Sequence, residues 1–234
     1  MIVEICANSF ESAQAAQLAG ANRIELCRDL SVGGLTPLKD TIEKVMQELT
    51  IPVHVLIRPR RGNFCYTELE LQGMLDSISL CKNLGCAGVV SGVLTSEKVI
   101  DKIATNRLLE ASQGLEFTFH RAFDECANWR TDLAFLTSSA VTRLLSSGQQ
   151  LKAIDGLSTL KEMKKFVKKQ LQIMPGGGIN EANVVAFKEA GFDMVHFSAT
   201  KKNIKKTAGE SMFKTANSGH SNQQTIENMI ALLS

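Results

Sequence analysis

Short β-rich runs alternate with amphipathic helical segments along almost the whole chain, and this alternation constrains the fold more than any other feature. The predicted strands are Ile2–Cys6, Arg23–Cys27, Val53–Arg58, Gly88–Val93, Leu115–His120, Val141–Leu145, Leu171–Met174 and Met194–Ser198. Eight strand–helix units of about 30 residues each predict an α/β fold, the closed (β/α)₈ TIM barrel. An open doubly wound sheet has the same alternation, but the first strand is not followed by a Gly-x-Gly-x-x-Gly fingerprint.

We predict one domain over residues 1–234, because no linker or low-complexity tract interrupts the pattern. Residues 200–222 are rich in Lys, Ser, Gly and Asn without apolar periodicity, which predicts a flexible loop. A short terminal helix is predicted at about Gln223–Leu233. Predicted helix starts carry capping residues, at Ser9, Thr36-Pro37, Thr67 with Glu70, Ser158 and Asn180.

Composition narrows the class of function. A hydrophobic fraction of 44% builds a sizeable core, and a net charge of +2 gives no electrostatic reason to bind nucleic acid or an anionic membrane. No run approaches the roughly 18 apolar residues of a membrane span. The first ten residues lack the basic and apolar regions of a signal peptide. Six cysteines in such a chain therefore predict reduced thiols in the cytoplasm.

Several predicted strands carry polar side chains at alternate positions, whereas parallel strands covered by helices are normally apolar throughout. The polar positions are Glu4, Cys6, Glu25, Cys27, His54, Arg58, Glu116, Thr118, His120, His196 and Ser198. Because the opposite positions are apolar and must face the helices, the polar side chains are predicted to line the barrel axis. Unpaired buried charges cost several kcal/mol each. The interior therefore holds either a network pairing its glutamates with Arg58 and the histidines, or a ligand.

Cys6 and Cys27 are the candidate metal ligands. They share a face and end adjacent parallel strands, which lie about 4.8 Å apart. Two metal–sulfur bonds of about 2.3 Å each span that gap, and soft thiolates select Cu(I) or Zn. The alternative is a buried pair that packs like two small hydrophobes, and spacing alone favours it, because the chain contains no Cys-x-x-Cys.

Loops at the carboxyl ends of four predicted strands carry residues suited to an anion. These candidate anion-binding residues are Arg58, Arg60, Ser147, Gly148, Gly176, Gly177, Gly178 and Ser198. Arginine binds carboxylate or phosphate bidentately, and consecutive glycines let backbone N–H groups approach an anion. Phosphate sites of (β/α)₈ enzymes often lie after strands seven and eight. The alternatives are a tight glycine turn and an incidental basic cluster on a surface loop.

His120, at the end of the fifth predicted strand, is the candidate general acid or base. Asp124 or Glu116 is the candidate to orient it, which completes the predicted catalytic set. A core histidine paired with a neighbouring carboxylate is the alternative. Together with the anion-binding loops, His120 supports the hypothesis of an enzyme acting on a small phosphorylated or carboxylated molecule.

Several motifs, in order from residue 2 to about residue 199, are shared with a known family. They are Glu4-Ile5-Cys6, Arg23-Ile24-Glu25-Leu26-Cys27, Gly33-Gly34-Leu35-Thr36-Pro37, the Ile57–Tyr66 loop, Thr118–Asp124, and Ser146–Gln149 with Gly156-Leu157. In these motifs the chain resembles the copper homeostasis protein CutC. The resemblance implies a (β/α)₈ barrel, a cytoplasmic homodimer, and Cu(I) bound at Cys6 and Cys27. Asn63 stands where the family has an aspartate, which puts an acid–base role at that position in doubt.

Overall fold

The computed structural model describes residues 1–200 and 219–234, which contain all eight predicted strands. Their bounds are Ile2–Ala7 (β1), Arg23–Leu26 (β2), Val53–Leu56 (β3), Gly88–Ser91 (β4), Glu116–Phe119 (β5), Arg143–Ser146 (β6), Gln172–Pro175 (β7) and Met194–Phe197 (β8). The parallel strands are ordered β7-β6-β5-β4-β3-β2-β1-β8. A parallel bridge between Gly176 and His196 joins the two edges. The predicted TIM barrel is therefore confirmed.

Helices lie between the strands and after β8. Their bounds are Phe10–Leu18 (α1), Lys39–Glu48 (α2), Glu68–Asn83 (α3), Lys102–Ala111 (α4), Trp129–Ser138 (α5), Leu157–Val167 (α6), Val184–Glu189 (α7) and Gln223–Leu233 (α8). The terminal helix matches its predicted bounds. Among the described helices, none combines the length and apolar character needed to cross a bilayer.

Two of the predicted helix starts are confirmed. Ser9 caps α1, and Thr67 with Glu70 forms a capping box at the start of α3. The other three are wrong, because α2, α6 and α7 begin at Lys39, Leu157 and Val184. Thr36 does not cap α2, since its hydroxyl accepts a hydrogen bond from the backbone N–H of Arg58 at 2.8 Å. The threonine thus joins two loops at the carboxyl end of the barrel.

The ends of the predicted loop 200–222 are fixed to the barrel. Thr200 and Ser221 form an antiparallel bridge, and the N–H of Asn222 donates to the carbonyl of Ala199 at 3.0 Å. Residues 201–218 of this predicted loop lie outside the described residues.

The barrel wall separates a large outer core from a polar interior. The outer core lies between strands and helices and includes Val3, Ile5, Ile24 and Val55 from the apolar positions of β1 to β3. Among residues 1–200 and 219–234, the buried apolar side chains inside the barrel form two small clusters, Cys6, Cys27, Leu56 and Val90, and Leu145, Met174 and Met194. The buried polar residues of the strands are Glu4, Arg23, Glu25, His54, Thr118, Arg143 and His196. The predicted polar axis is therefore confirmed for the glutamates and histidines that β1, β2, β3 and β8 contribute.

Candidate functional site

The structure brings the two candidate thiols into contact. Cys6 lies in β1 and Cys27 directly follows β2, and both side chains are buried. Parallel pairing of Cys6 with Glu25, and a hydrogen bond from Cys27 N to Ala7 O at 2.9 Å, bring both residues to the carboxyl end of the interior. The two Sγ atoms are 3.6 Å apart. Neither is part of a disulfide.

A carboxylate and an imidazole join the thiol pair. Donor atoms of Cys6, Glu25 and His196 all lie within 4.8 Å of one another, and all three residues are buried. The Cys6 thiol is 3.8 Å from Glu25 Oε1. His196 reaches the cluster because β8 pairs with β1, opposite Glu4. Glu25 and His196 lie on the predicted polar face of their strands, but the sequence alone did not predict them as metal ligands.

Glu4 fixes the orientation of His196. Its Oε1 is 2.8 Å from His196 Nδ1, and its Oε2 accepts a hydrogen bond from Arg23 Nε. Burial alone raises the pKa of Glu4, but the His196 hydrogen bond and the Arg23 charge outweigh burial and hold that pKa well below its usual range. Burial lowers the pKa of His196, yet Glu25, Cys6 and Glu4 together raise it well above its ordinary value. Glu4 and His196 therefore form a buried ion pair.

Cys6 retains its proton near neutral pH, whereas Glu25 is only partly ionised there. Contact with Cys27, followed by burial, raises the pKa of the Cys6 thiol well above its ordinary value. Burial raises the pKa of Glu25 to about 7. A soft cation entering this cluster must displace protons, since thiolate and carboxylate are the forms that coordinate metals.

His120 is buried at the carboxyl end of the barrel and makes no described hydrogen bond to either predicted partner. Its Nδ1 accepts a hydrogen bond from Ala122 N at 3.3 Å, and its Nε2 has no partner among the described residues. Its ring contacts Phe64 at a centroid distance of 5.0 Å. Burial, with the nearby Arg58 charge, lowers the pKa of His120 to about 3. His120 is therefore neutral at physiological pH, and its catalytic role stays a prediction.

Glu116 lies at the opposite end of β5 from His120, so it does not orient that histidine. Its Oε2 accepts a hydrogen bond from Arg143 Nη2 at 2.7 Å and is 3.3 Å from His54 Nε2. The side chain is 49% exposed. The hydrogen bond to His54 lowers the pKa of Glu116, burial opposes this, and Arg143 adds to the lowering, giving a pKa of about 2.

Glu116→Gln is expected to reduce the loss of stability at acid pH. The folded-state pKa of about 2 lies below the ordinary value of 4.5, so the unfolded chain binds more protons between these values. Stability from Glu116 is present above pH 4.5 and is lost as the pH falls toward 2. Urea unfolding measured from pH 5 to pH 2.5 should show a shallower decline in the variant. The exposed Glu110→Gln should keep the parental slope, and an identical slope in both variants contradicts the prediction.

The Asp124 carboxylate accepts hydrogen bonds from the loop after β6 rather than from His120. Its Oδ1 accepts hydrogen bonds from Ser146 Oγ at 2.6 Å and from the N–H groups of Ser147 and Gln149. Its Oδ2 accepts from Arg121 Nε at 2.9 Å and from Ser147 Oγ at 2.8 Å. The carboxylate thereby organises the backbone of this loop.

Asp124→Asn is expected to lower the free energy of unfolding by about 2–3 kcal/mol. The amide replaces one acceptor oxygen with a donor group, which leaves buried N–H and O–H donors facing another donor. Urea unfolding monitored by circular dichroism measures this loss. The control is Asp76→Asn, whose carboxylate, among the described contacts, accepts a hydrogen bond from Gln72 alone on the exposed face of α3. Equal stability of the two variants contradicts the role given to Asp124.

The candidate anion-binding arginines hold loops together. Arg58 is buried and donates to the carbonyls of Val32 at 2.8 Å, Gly34 at 3.0 Å and Gly62 at 3.0 Å. Arg60 donates to Glu70 Oε1 at 2.6 Å and to acceptors within its own loop, the closest being the carbonyl of Cys65 at 2.6 Å. Both guanidinium groups are therefore hydrogen-bonded to other groups of the protein.

Ser147 and Gly148 also stabilise the conformation of the loop after β6. The Ser147 hydroxyl contacts Asp124, Arg121 Nη2 and the carbonyl of Gln150. Gly148 has a φ of +71°, and a Cβ at this position would lie 2.3 Å from the carbonyl oxygen of Gly156. The glycine is therefore required for the close approach of two backbone segments.

The turn Gly176–Gly178 is packed against side chains. Gly176 donates its N–H to the Ser146 carbonyl at 3.0 Å, as part of the barrel wall. A Cβ on Gly177 would meet the Arg121 guanidinium at 3.0 Å, and one on Gly178 would meet Lys152 at 3.0 Å.

Ser198 contacts Thr200 through its hydroxyl at 3.3 Å and accepts from Ser221 at its carbonyl at 2.9 Å. The structure thus places the candidate anion-binding residues at one end of the barrel but engages them in separate internal contacts. Anion binding by this set stays a prediction.

Comparison with known proteins identifies close relatives of this chain. The model of the CutC family matches residues 1–201. Two relatives named family protein CutC are 41% identical over 199 residues in Pasteurella multocida (85% of this chain, 82% of the relative) and 43% identical over 198 residues in Salmonella schwarzengrund (85% and 79%). A solved structure named as a copper homeostasis protein CutC, from Streptococcus agalactiae, is 33% identical with a TM-score of 0.80, covering 85% of this chain and 98% of that one. Thiamine phosphate pyrophosphorylase from Pyrococcus furiosus, 13% identical with a TM-score of 0.60 over 99% and 95% of the two chains, shares the fold alone.

Proposed function

Because this chain belongs to the CutC family of copper homeostasis proteins, we propose that it binds Cu(I) through Cys6 and Cys27. The observation that carries the proposal is the contact of the two buried thiols at 3.6 Å inside a polar barrel. Thiolates are the protein ligands that select Cu(I). All six cysteines of the chain are free, which agrees with the proposed cytoplasmic location. The family resemblance also implies a homodimer, which stays a prediction until the oligomeric state is measured in solution.

The spacing of the sulfurs favours a third donor. A linear S–Cu–S arrangement with bonds of about 2.3 Å holds the sulfurs about 4.6 Å apart, and a trigonal one holds them about 4.0 Å apart. The spacing of 3.6 Å is closer to the trigonal value. His196 is the candidate third donor: its Nδ1 is engaged by Glu4, and its other ring nitrogen must lose its proton before it can bind a metal. The second ring nitrogen of a metal-binding histidine usually donates a hydrogen bond to a carboxylate, a backbone carbonyl or water.

The enzyme hypothesis has less support. Arg58, Arg60 and Ser147, which are its candidate anion ligands, are used in hydrogen bonds within the loops. His120 is buried with one ring nitrogen unpartnered among the described residues, but neither Asp124 nor Glu116 orients it.

Titration of the fully reduced protein with Cu(I), against a competing chelator, tests the proposal. We expect one tightly bound Cu(I) per chain, and X-ray absorption should show two sulfur ligands with one nitrogen ligand. The proposal is contradicted if the chelator retains all the copper when the protein and Cu(I) are present in equal amounts. Copper bound without sulfur ligands contradicts the assignment to Cys6 and Cys27.

A further inference from the structure

A second pair of cysteines, Cys81 and Cys86, lies where α3 ends and the chain turns into β4. Both side chains belong to the outer core, with 0% and 4% of their surface exposed, and both thiols are free. The turn before β4 is at the amino end of the barrel, whereas Cys6 and Cys27 lie at the carboxyl end. The second pair is therefore separate from the proposed copper site.

The turn that ends α3 brings the two cysteines together. Leu84 is the C-cap, and Gly85 after it has a φ of +76°, a left-handed conformation that glycine adopts readily. Gly85 donates its N–H to the carbonyl of Lys82 at 3.1 Å. Cys86 donates its N–H to the carbonyl of Cys81 at 3.0 Å. These bonds form a Schellman motif, in which the two outermost side chains usually make a hydrophobic contact, and here both are cysteines.

A hydrogen bond between the two thiols makes them chemically unequal. The Cys81 thiol donates to Cys86, and this bond lowers the pKa of Cys86 although burial opposes the lowering. The same contact, followed by burial, raises the pKa of Cys81 well above its ordinary value. Because the thiolate is the reactive form of cysteine, Cys86 is the nucleophile of the pair. Cys126 differs, since burial and the charge of Asp132 raise its pKa well above the usual range.

We propose that Cys81 and Cys86 form a reversible disulfide when the protein meets a small hydroperoxide. A disulfide needs two Cα atoms about 4.4–6.8 Å apart, and the direct backbone hydrogen bond between these residues is compatible with that range. Burial selects the oxidant, because hydrogen peroxide is little larger than water and reaches the pair through local opening, whereas glutathione disulfide is too bulky. In reducing compartments such disulfides are usually transient and redox-sensing.

The reaction with hydrogen peroxide has two balanced steps. The Cys86 thiolate attacks one peroxide oxygen, the O–O bond breaks, and the leaving hydroxide takes the proton that Cys86 has released. Cys86 is then a sulfenic acid, and the first water has formed. The Cys81 sulfur attacks the Cys86 sulfur, the S–O bond breaks, and the Cys81 proton leaves with the hydroxide as a second water. The peroxide thus gains the two electrons that the two thiols lose.

Peptide mapping of the reduced wild-type protein after treatment with hydrogen peroxide tests the proposal. Trypsin cleaves after Lys82, between the two cysteines, so their disulfide joins the peptide 62–82 to the peptide 83–98. We expect this linked pair to accumulate and to disappear after treatment with dithiothreitol. Peptide fragmentation should place the bond at Cys81 rather than at Cys65. Glutathione disulfide at the same concentration should form the bond at least tenfold more slowly.

Single variants distinguish the roles of the two thiols. Cys81→Ala should stop the reaction at the Cys86 sulfenic acid, which dimedone labels, whereas Cys86→Ala should leave Cys81 unlabelled. Cys126 is the internal control in every sample and should remain a free thiol. Circular dichroism shows whether each variant is folded, and the wild-type mapping tests the disulfide without any substitution.

Three outcomes overturn the proposal. The first is a wild-type pair that stays reduced in millimolar hydrogen peroxide while Cys65 is oxidised. The second is equally fast reaction of the pair with glutathione disulfide, which contradicts the selection of a small hydroperoxide. The third is weaker Cu(I) binding by a folded Cys81→Ala, Cys86→Ala double variant, which should bind Cu(I) within twofold of the parent. A wild-type protein that forms the disulfide but binds no Cu(I) contradicts the proposed function alone.

Discussion

Replacing Cys6 and Cys27 together by serine is expected to weaken Cu(I) binding by more than about a hundredfold. Loss of a residue that only orients a metal ligand lowers metal affinity by about 10–100-fold, so the loss of both sulfur ligands should lower it further. Serine is close in size to cysteine but offers a hard hydroxyl oxygen in place of a soft thiolate. The two sulfurs contact each other at 3.6 Å, so both belong to the one proposed site. Competition titration with a Cu(I) chelator measures the change.

Cys65→Ser is the control for this experiment. Cys65 lies after β3 and is half-buried, so it is another thiol that a copper ion can reach. The control should bind Cu(I) within twofold of the parent protein, and circular dichroism should show that the double variant is folded. Undiminished copper binding by the folded double variant would end the proposal for this site.

The alternation of residues along the strands was enough to predict the barrel interior. Glu4, Glu25 and His196 occupy the predicted face because a β-strand has a side-chain period of two. Their partners were not predictable in the same way. Arg23 shares the face of Glu25 but pairs with Glu4, and His196 meets Glu4 only because β8 pairs with β1. Such pairings depend on the stagger of the closed sheet, which the sequence of one strand does not contain.

The loops at the carboxyl ends of the strands were predicted less well, for a chemical reason. Arginine and serine bind phosphate with the same groups that they use to bind backbone carbonyls and carboxylates. Arg58 follows β3, as an anion-binding arginine does, but it donates to carbonyls of the loop that includes Gly34. Asp124 resembles a catalytic carboxylate, but it accepts from Ser146 and Ser147. Only the three-dimensional positions of the acceptors distinguish these roles.

Arg23→Met is expected to lower the free energy of unfolding by about 3–5 kcal/mol, the usual effect of removing one partner from a buried ion pair. The Arg23 side chain is 9% exposed, and the Glu4 side chain that it pairs with is fully buried. Its Nη2 also lies 3.4 Å from Met174 Sδ and 3.9 Å from Met194 Sδ. Methionine therefore suits the surrounding packing but leaves the Glu4 carboxylate with His196 as its one remaining cation among the described contacts. Urea unfolding near neutral pH measures the change.

The double variant Glu4→Gln, Arg23→Met shows whether the loss comes from the unpaired charge. Replacing both members of a buried pair by neutral groups is often close to neutral, so the double variant should recover at least half of the stability lost in Arg23→Met. Arg130→Met is the exposed control, because Arg130 pairs with Glu162 at 2.7 Å while both side chains are more than half exposed. That control should lose less than about 1 kcal/mol. If the double variant instead loses as much free energy of unfolding as the two single variants together, Arg23 stabilises the fold through packing. His196 is then sufficient as the partner of the Glu4 carboxylate.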